Sequence, residues 1–280
     1  MFAMIMTILC STMLSVFMRM SEGKARGKMT ILSANYLTCI LLASCFTGVS
    51  DLFPAAKEGF PITLILGIIT GVFYMLALVF NQKSITKNGV VLSSVFAKVG
   101  SLLVPIVVAL CFYGASPSWY QGIGAVLAVF SIILICDNGK KDAASSIGLL
   151  VILLLVEGMA SAMGKIFDAD GAKALSDQYL FYTFGTALII SALAAIVKKE
   201  KPGLPEIIYG VLIGVANFFA SRFMLQALNE IQEVIFYPTR GVMVILLITL
   251  AGVFLFREKL QKKQWIAMAA ILVSVALLNM

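Results

Sequence analysis

Three solitary charges stand deep inside long apolar runs: Lys98, Glu157 and Arg240. Apolar surroundings make a lone charge costly, so chains keep such groups where they face protein or water. In VVLSSVFAKVGSLLVP, Ser94, Lys98, Ser101 and Pro105 follow i, i+4, i+7, i+11 and share one helical face. In QEVIFYPTRGVM, Glu233, Tyr237 and Arg240 follow i, i+4, i+7 in the same way. At about 1.5 Å per residue, Lys98 lies roughly 15 Å from its end of the helix, Glu157 roughly 18 Å and Arg240 roughly 10 Å.

An arginine offers a bidentate fork and a lysine a point charge, so two such cations suit a carboxylate or phosphate. The alternative is that they pair with Glu157 or Glu233 and hold helices together. Glu157 is the single carboxylate deep in an apolar run; it could carry a proton or bind an amine, or bridge to Lys98 or Arg240. Glu233, a second proton-coupling candidate, falls near the end of its run, where a solvated loop carboxylate is the ordinary reading. Gly210, Gly214, Asn217 and Ser221 form a stripe matched by Gly67, Gly71 and Tyr74. Small residues so spaced let helices pack closely, and Asn217 is the polar group among them best suited to a ligand. The candidate substrate-binding set is Lys98, Arg240, Tyr237, Ser94, Asn217 and Glu157. Arg222 reads as a side chain that snorkels to an interface.

Other chemistries find no residues. No histidine occurs, which removes the commonest metal ligand and the usual general base. The glycines lack the lysine and serine of a phosphate-binding loop, so ATP-driven pumping is not expected. The five cysteines show no CxxC spacing and read as buried, inert thiols. No cofactor, metal or nucleic acid is implied, and nothing demands an oligomer.

Those charges need elements to position them. Hydrophobic residues make up 61% of 280 positions, charged residues 12%, and the mean hydropathy is +1.02. Such a chain has lipid as its main solvent. Apolar runs divide it into ten spans, 1–18, 30–49, 61–81, 89–112, 118–136, 145–166, 178–197, 206–226, 233–256 and 264–279. No signal peptide separates from the first of them. The expected fold is an all-α membrane protein.

The chain also repeats. Gly67 and Gly71 recur 143 residues later as Gly210 and Gly214. The same offset pairs Ser33 with Ser176, Tyr36 with Tyr179, Leu37 with Leu180, Val91 with Val234, Gln121 with Gln264 and Ser131 with Ser274. It superposes Ser94 on Tyr237 and brings Lys98 within one residue of Arg240. Two five-helix halves follow, 1–137 and 145–280, in one membrane domain. An odd number of spans per half turns the second half upside down. Loop charge agrees: SEGKARGK is basic where its counterpart FDADGAK is mostly acidic, and uncharged GASPS answers to FREKLQKK. Lysine and arginine gather in the odd-numbered loops, which places these inside and both termini outside. The net charge of +7 is therefore read as an orientation signal.

This architecture resembles the drug/metabolite transporter superfamily, in particular its EamA-like ten-helix members. The stretch LLITLAGVFLFREKLQKKQWIAMAAILVSVALL is similar to that family's "LGE…L…Q…G…LI" ending, with Glu258, Leu260 and Gln264 in place and Arg257 where glycine is usual. The resemblance implies alternating access around a central site, often for export of amino acids, other metabolites or drugs. Related small multidrug-resistance proteins use a membrane-embedded glutamate in a first helix; Glu157 stands in the first helix of the second half, with Leu14 at that place in the first. The expectation is a secondary transporter in the cell (inner) membrane, exporting small zwitterionic or anionic metabolites. Its site would lie between spans 3, 4, 6, 8 and 9. A flippase for a phosphorylated lipid carrier is the alternative.

Overall fold

A computed structural model describes residues 1–21, 24, 27–48, 51–55, 57–88, 90–136, 146–256 and 262–278. Ten α-helices account for nearly all of them, with one short 3-10 turn at Lys173–Leu175: α1 Phe2–Ser21, α2 Lys28–Thr47, α3 Phe60–Asn88, α4 Val90–Phe112, α5 Trp119–Cys136, α6 Ile147–Asp170, α7 Ser176–Val197, α8 Leu204–Leu228, α9 Glu233–Phe256 and α10 Lys262–Leu278. Among the described residues, seven of them have stretches long and apolar enough to cross a membrane. The ends follow local chemistry. Pro205 sits in the first turn of α8, where a missing N–H costs nothing. Gly114, with φ +63°, follows the end of α4 in the left-handed conformation that favours glycine.

The helices divide into two units, Met1–Met75 with Ile166–Asn229, and Leu76–Lys165 with Glu230–Met280. Each draws helices from both sequence halves.

In the first unit, α1 runs antiparallel to α8: the Thr7 hydroxyl donates to the Ala220 carbonyl at 2.8 Å, and Phe2 meets Phe223 edge-on. α2 and α7 are antiparallel too, Ser33 meeting Ser191 at 3.3 Å and Tyr36 stacking on Phe184. Two glycine crossings complete the unit. A Cβ on Gly210 would meet Ala34, Ile31 and Asn35, and one on Gly214 would meet Asn35 and Thr38. A Cβ on Gly67 would meet Tyr182, Tyr179 and Thr183, and one on Gly71 would meet Thr183 and Thr186.

These crossings are copies of each other, and they correct the repeat register. The glycines of α3 and α8 differ by 143, but their neighbours on α2 and α7 differ by 148: Ile31 answers to Tyr179, Ala34 to Tyr182, Asn35 to Thr183 and Thr38 to Thr186. Tyr36 is thus the counterpart of Phe184, not of Tyr179. A longer α6 than α1 contributes to the slip, and a longer connection after α2 than after α7 works against it. Counterpart helices running antiparallel are what inverted halves require.

In the second unit, α4 and α6 run parallel, with Gly100 packed on the Leu154 backbone and Gly158 on Val104. α5 and α10 are joined by the Ser274 hydroxyl, which donates to the Gly124 carbonyl at 2.8 Å. Leu102, Ile106, Ala128, Ile132, Val242, Ile245, Ala267 and Ile271 form the apolar core of α4, α5, α9 and α10.

Connections of like parity meet. In the first unit, Glu200 from the seventh connection accepts from the backbone N–H groups of Met29 and Thr30 at 2.8 and 3.0 Å, beside the first connection. Gln178, just past the sixth, donates to the Asp51 carbonyl of the second at 3.1 Å. In the second unit, Asn88 bonds Ser146 across the third and fifth connections. Within each unit, odd and even connections therefore gather at different ends. The cysteines depart from expectation: Cys39 is buried, but Cys45 and Cys111 are exposed on apolar helices.

Candidate functional site

Lys98, Glu157, Glu233 and Arg240 all lie in the second unit, where α6 and α9 pack antiparallel in a definite register. Lys165 pairs with Glu233, and the Tyr237 hydroxyl donates to the Ser161 carbonyl at 3.2 Å. Both contacts step four residues along each helix, one forward and one back. One turn further, that register sets Arg240 level with Gly158 and Gly241 level with Glu157. The α9 face bearing Glu233, Tyr237 and Arg240 is thus laid along α6.

α4 meets the pair at this level. Gly158 packs on Val104, and Leu102 is the neighbour of Gly241, 3.8 Å from where its Cβ would stand. Lys98 lies one turn before Leu102 and is exposed. Glu157 and Arg240 are half-buried. Two cations and one carboxylate therefore occupy one stretch of the α4, α6 and α9 packing. Two cations of this kind suit a carboxylate, a phosphate or a zwitterion.

Glu233 departs from the expected solvated loop carboxylate. Its side chain is 14% exposed and that of its partner Lys165 11%. The Lys165 ammonium also lies 5.3 Å from the centre of the Tyr113 ring, at the end of α4. Lys165 escaped sequence reading because GMASAMGK ends an apolar run, where lysines ordinarily reach for the interface. The available signal was its place eight residues after Glu157.

Asn217 lies in the first unit and donates to the Asn35 Oδ1 atom at 3.2 Å. The Cys39 thiol donates to the Gly214 carbonyl beside it. Asn217 thus closes a polar contact between α2 and α8. Arg222, expected to snorkel, pairs with Asp177 at 3.1 Å and covers the Phe46 ring at 3.9 Å. The Ser94 and Gln264 side chains and residues 257–260, which carry Arg257, Glu258 and Leu260, lie outside the described residues.

Residues 145–280 match the EamA-like transporter family. The second half of this chain is an EamA-like transporter domain. An uncharacterized protein of Haemophilus influenzae is 25% identical over 276 residues, 94% of this chain and 92% of that protein. The glucose uptake protein GlcU of Staphylococcus xylosus is 25% identical over 228 residues, 76% of this chain and 75% of that protein. One crystal structure superposes with a TM-score of 0.73 over 99% of this chain and 94% of that one, at 15% identity, a likeness of fold. With this domain and its apolar helices, the protein is a multi-pass membrane transporter.

Proposed function

We propose that this protein is a secondary transporter that exports small anionic or zwitterionic metabolites, amino acids among them, across the cell (inner) membrane by alternating access. What supports this reading is that the packing register of α4, α6 and α9 brings Lys98, Glu157 and Arg240 onto neighbouring turns of three packed helices. Arg240 supplies a planar fork for a carboxylate, Lys98 a second positive charge, and Glu157 a partner for an amine or a proton. Inverted-repeat transporters commonly bind solutes near mid-membrane, and all three residues stand well inside apolar runs. The crowding of lysine and arginine in the odd connections supports a cytoplasmic location for them and an outer one for both termini.

A second reading comes from the relative named as a glucose uptake protein: the solute is an uncharged sugar held by polar side chains. Proteoliposomes discriminate the two. Counterflow of labelled amino acids, organic acids, sugar phosphates and glucose identifies the solute class, and Lys98→Ala and Arg240→Ala each abolish it while the protein stays monodisperse. Undiminished counterflow in both variants defeats the assignment of these cations; counterflow of glucose alone transfers the conclusion to the sugar.

A further inference from the structure

The Lys165–Glu233 pair stands about 12 Å beyond Glu157, eight residues along α6. It sits at the even-connection end of the second unit, with the Tyr113 ring beside it. Glu233 is the first residue of α9, and five residues later Pro238 lies inside the helix. A proline inside a helix removes the hydrogen bond to the carbonyl four residues back, here Val234, and weakens the join. Gly241 follows within one turn. Residues 233–237 therefore form a single turn attached to α9 through a weakened joint, tied to α6 by the ion pair and by Tyr237 on Ser161.

We infer that this first turn of α9 is a gate, hinged at Pro238 and latched by Glu233 on Lys165, that closes the even-connection end of the Lys98–Glu157–Arg240 site. The inference rests on the transport reading above. A buried ion pair gains little net stability, because desolvation offsets most of its attraction. It can thus be exchanged for hydration at modest cost when the turn swings away. The repeat adds a reason for a latch on one side. Position 233 corresponds to Val90 in the first half, so the carboxylate has no counterpart there. Halves without such a difference would favour neither of two mirror-related states; one ion pair biases the resting protein toward the state closed at its own end.

The test needs no solute. With the five native cysteines replaced, Ser161→Cys places a thiol one turn inside the latch, and its rate of modification by a membrane-impermeant maleimide is read in nanodiscs. The parent should react slowly, Glu233→Ala at least about tenfold faster, and the reversed pair Lys165→Glu with Glu233→Lys at close to the parent rate. Pro238→Ala, which restores the hydrogen bond to the Val234 carbonyl, should slow the reaction further. Fast labelling of the parent, an unchanged rate in Glu233→Ala, or a reversed pair that stays fast each overturns the gate. Should Glu233→Ala fail to fold, the reversed pair decides alone. If counterflow finds no solute while the labelling pattern holds, the transport reading falls and the hinged turn stands.

Discussion

The Tyr237 hydroxyl bonds the Ser161 backbone carbonyl at 3.2 Å, one turn from the Lys165–Glu233 pair and one turn from Arg240. With that ion pair it forms two successive polar rungs between α6 and α9. Its acceptor is a main-chain oxygen, so it holds α6 and α9 in register.

Tyr237→Phe removes that rung and leaves the ring in place. Interhelical hydrogen bonds in membrane proteins contribute about 0.6 kcal/mol on average and up to about 1.7. The variant should lose stability of this size in detergent unfolding. The loss should persist in Lys165→Ala, since a hydrogen bond to a backbone carbonyl does not need the neighbouring charge. A loss that vanishes in that background would make the two rungs one unit.

Glycine positions should divide sharply. A Cβ on Gly100 would stand 2.2 Å from the Leu154 carbonyl oxygen, which is backbone and cannot rotate away. Gly100→Ala must push α4 off α6 and should cost about 1–3 kcal/mol or more. Gly185, inside α7, has nothing within 4 Å of its would-be Cβ. Gly185→Ala should stabilise by up to about 1 kcal/mol, because alanine loses less backbone freedom in a helix. Thermal unfolding of the two variants checks both signs.

The N-terminus of α2 depends on a residue far away in sequence. Glu200 accepts from the N–H groups of Met29 and Thr30, and Glu206 accepts from the N–H of Gly27 at 3.3 Å. A carboxylate there satisfies free donors and complements the positive end of the helix dipole. Glu200→Ala should cost about 1–2 kcal/mol and Glu200→Gln less, since the amide oxygen still accepts. Hydrogen exchange at Met29 and Thr30 should quicken in the alanine variant; exchange unchanged there would remove the cap from the account.

The ten helices were legible because segment length and apolarity are dictated locally by the solvent, and the inversion because five spans per half leave no other arrangement. Lys98, Glu157, Tyr237 and Arg240 were legible for a related reason: polar groups inside apolar runs are costly enough to stand out. Their partners were not. Lys165 for Glu233, Asn35 for Asn217 and Asp177 for Arg222 are chosen by which helices touch and at what height. The shift of α7 from 143 to 148 shows why. A longer α6 and a longer connection after α2 work against each other along the chain, so a gap-free comparison passes over them, while glycine crossings only a few ångströms wide admit one register and reject its neighbours.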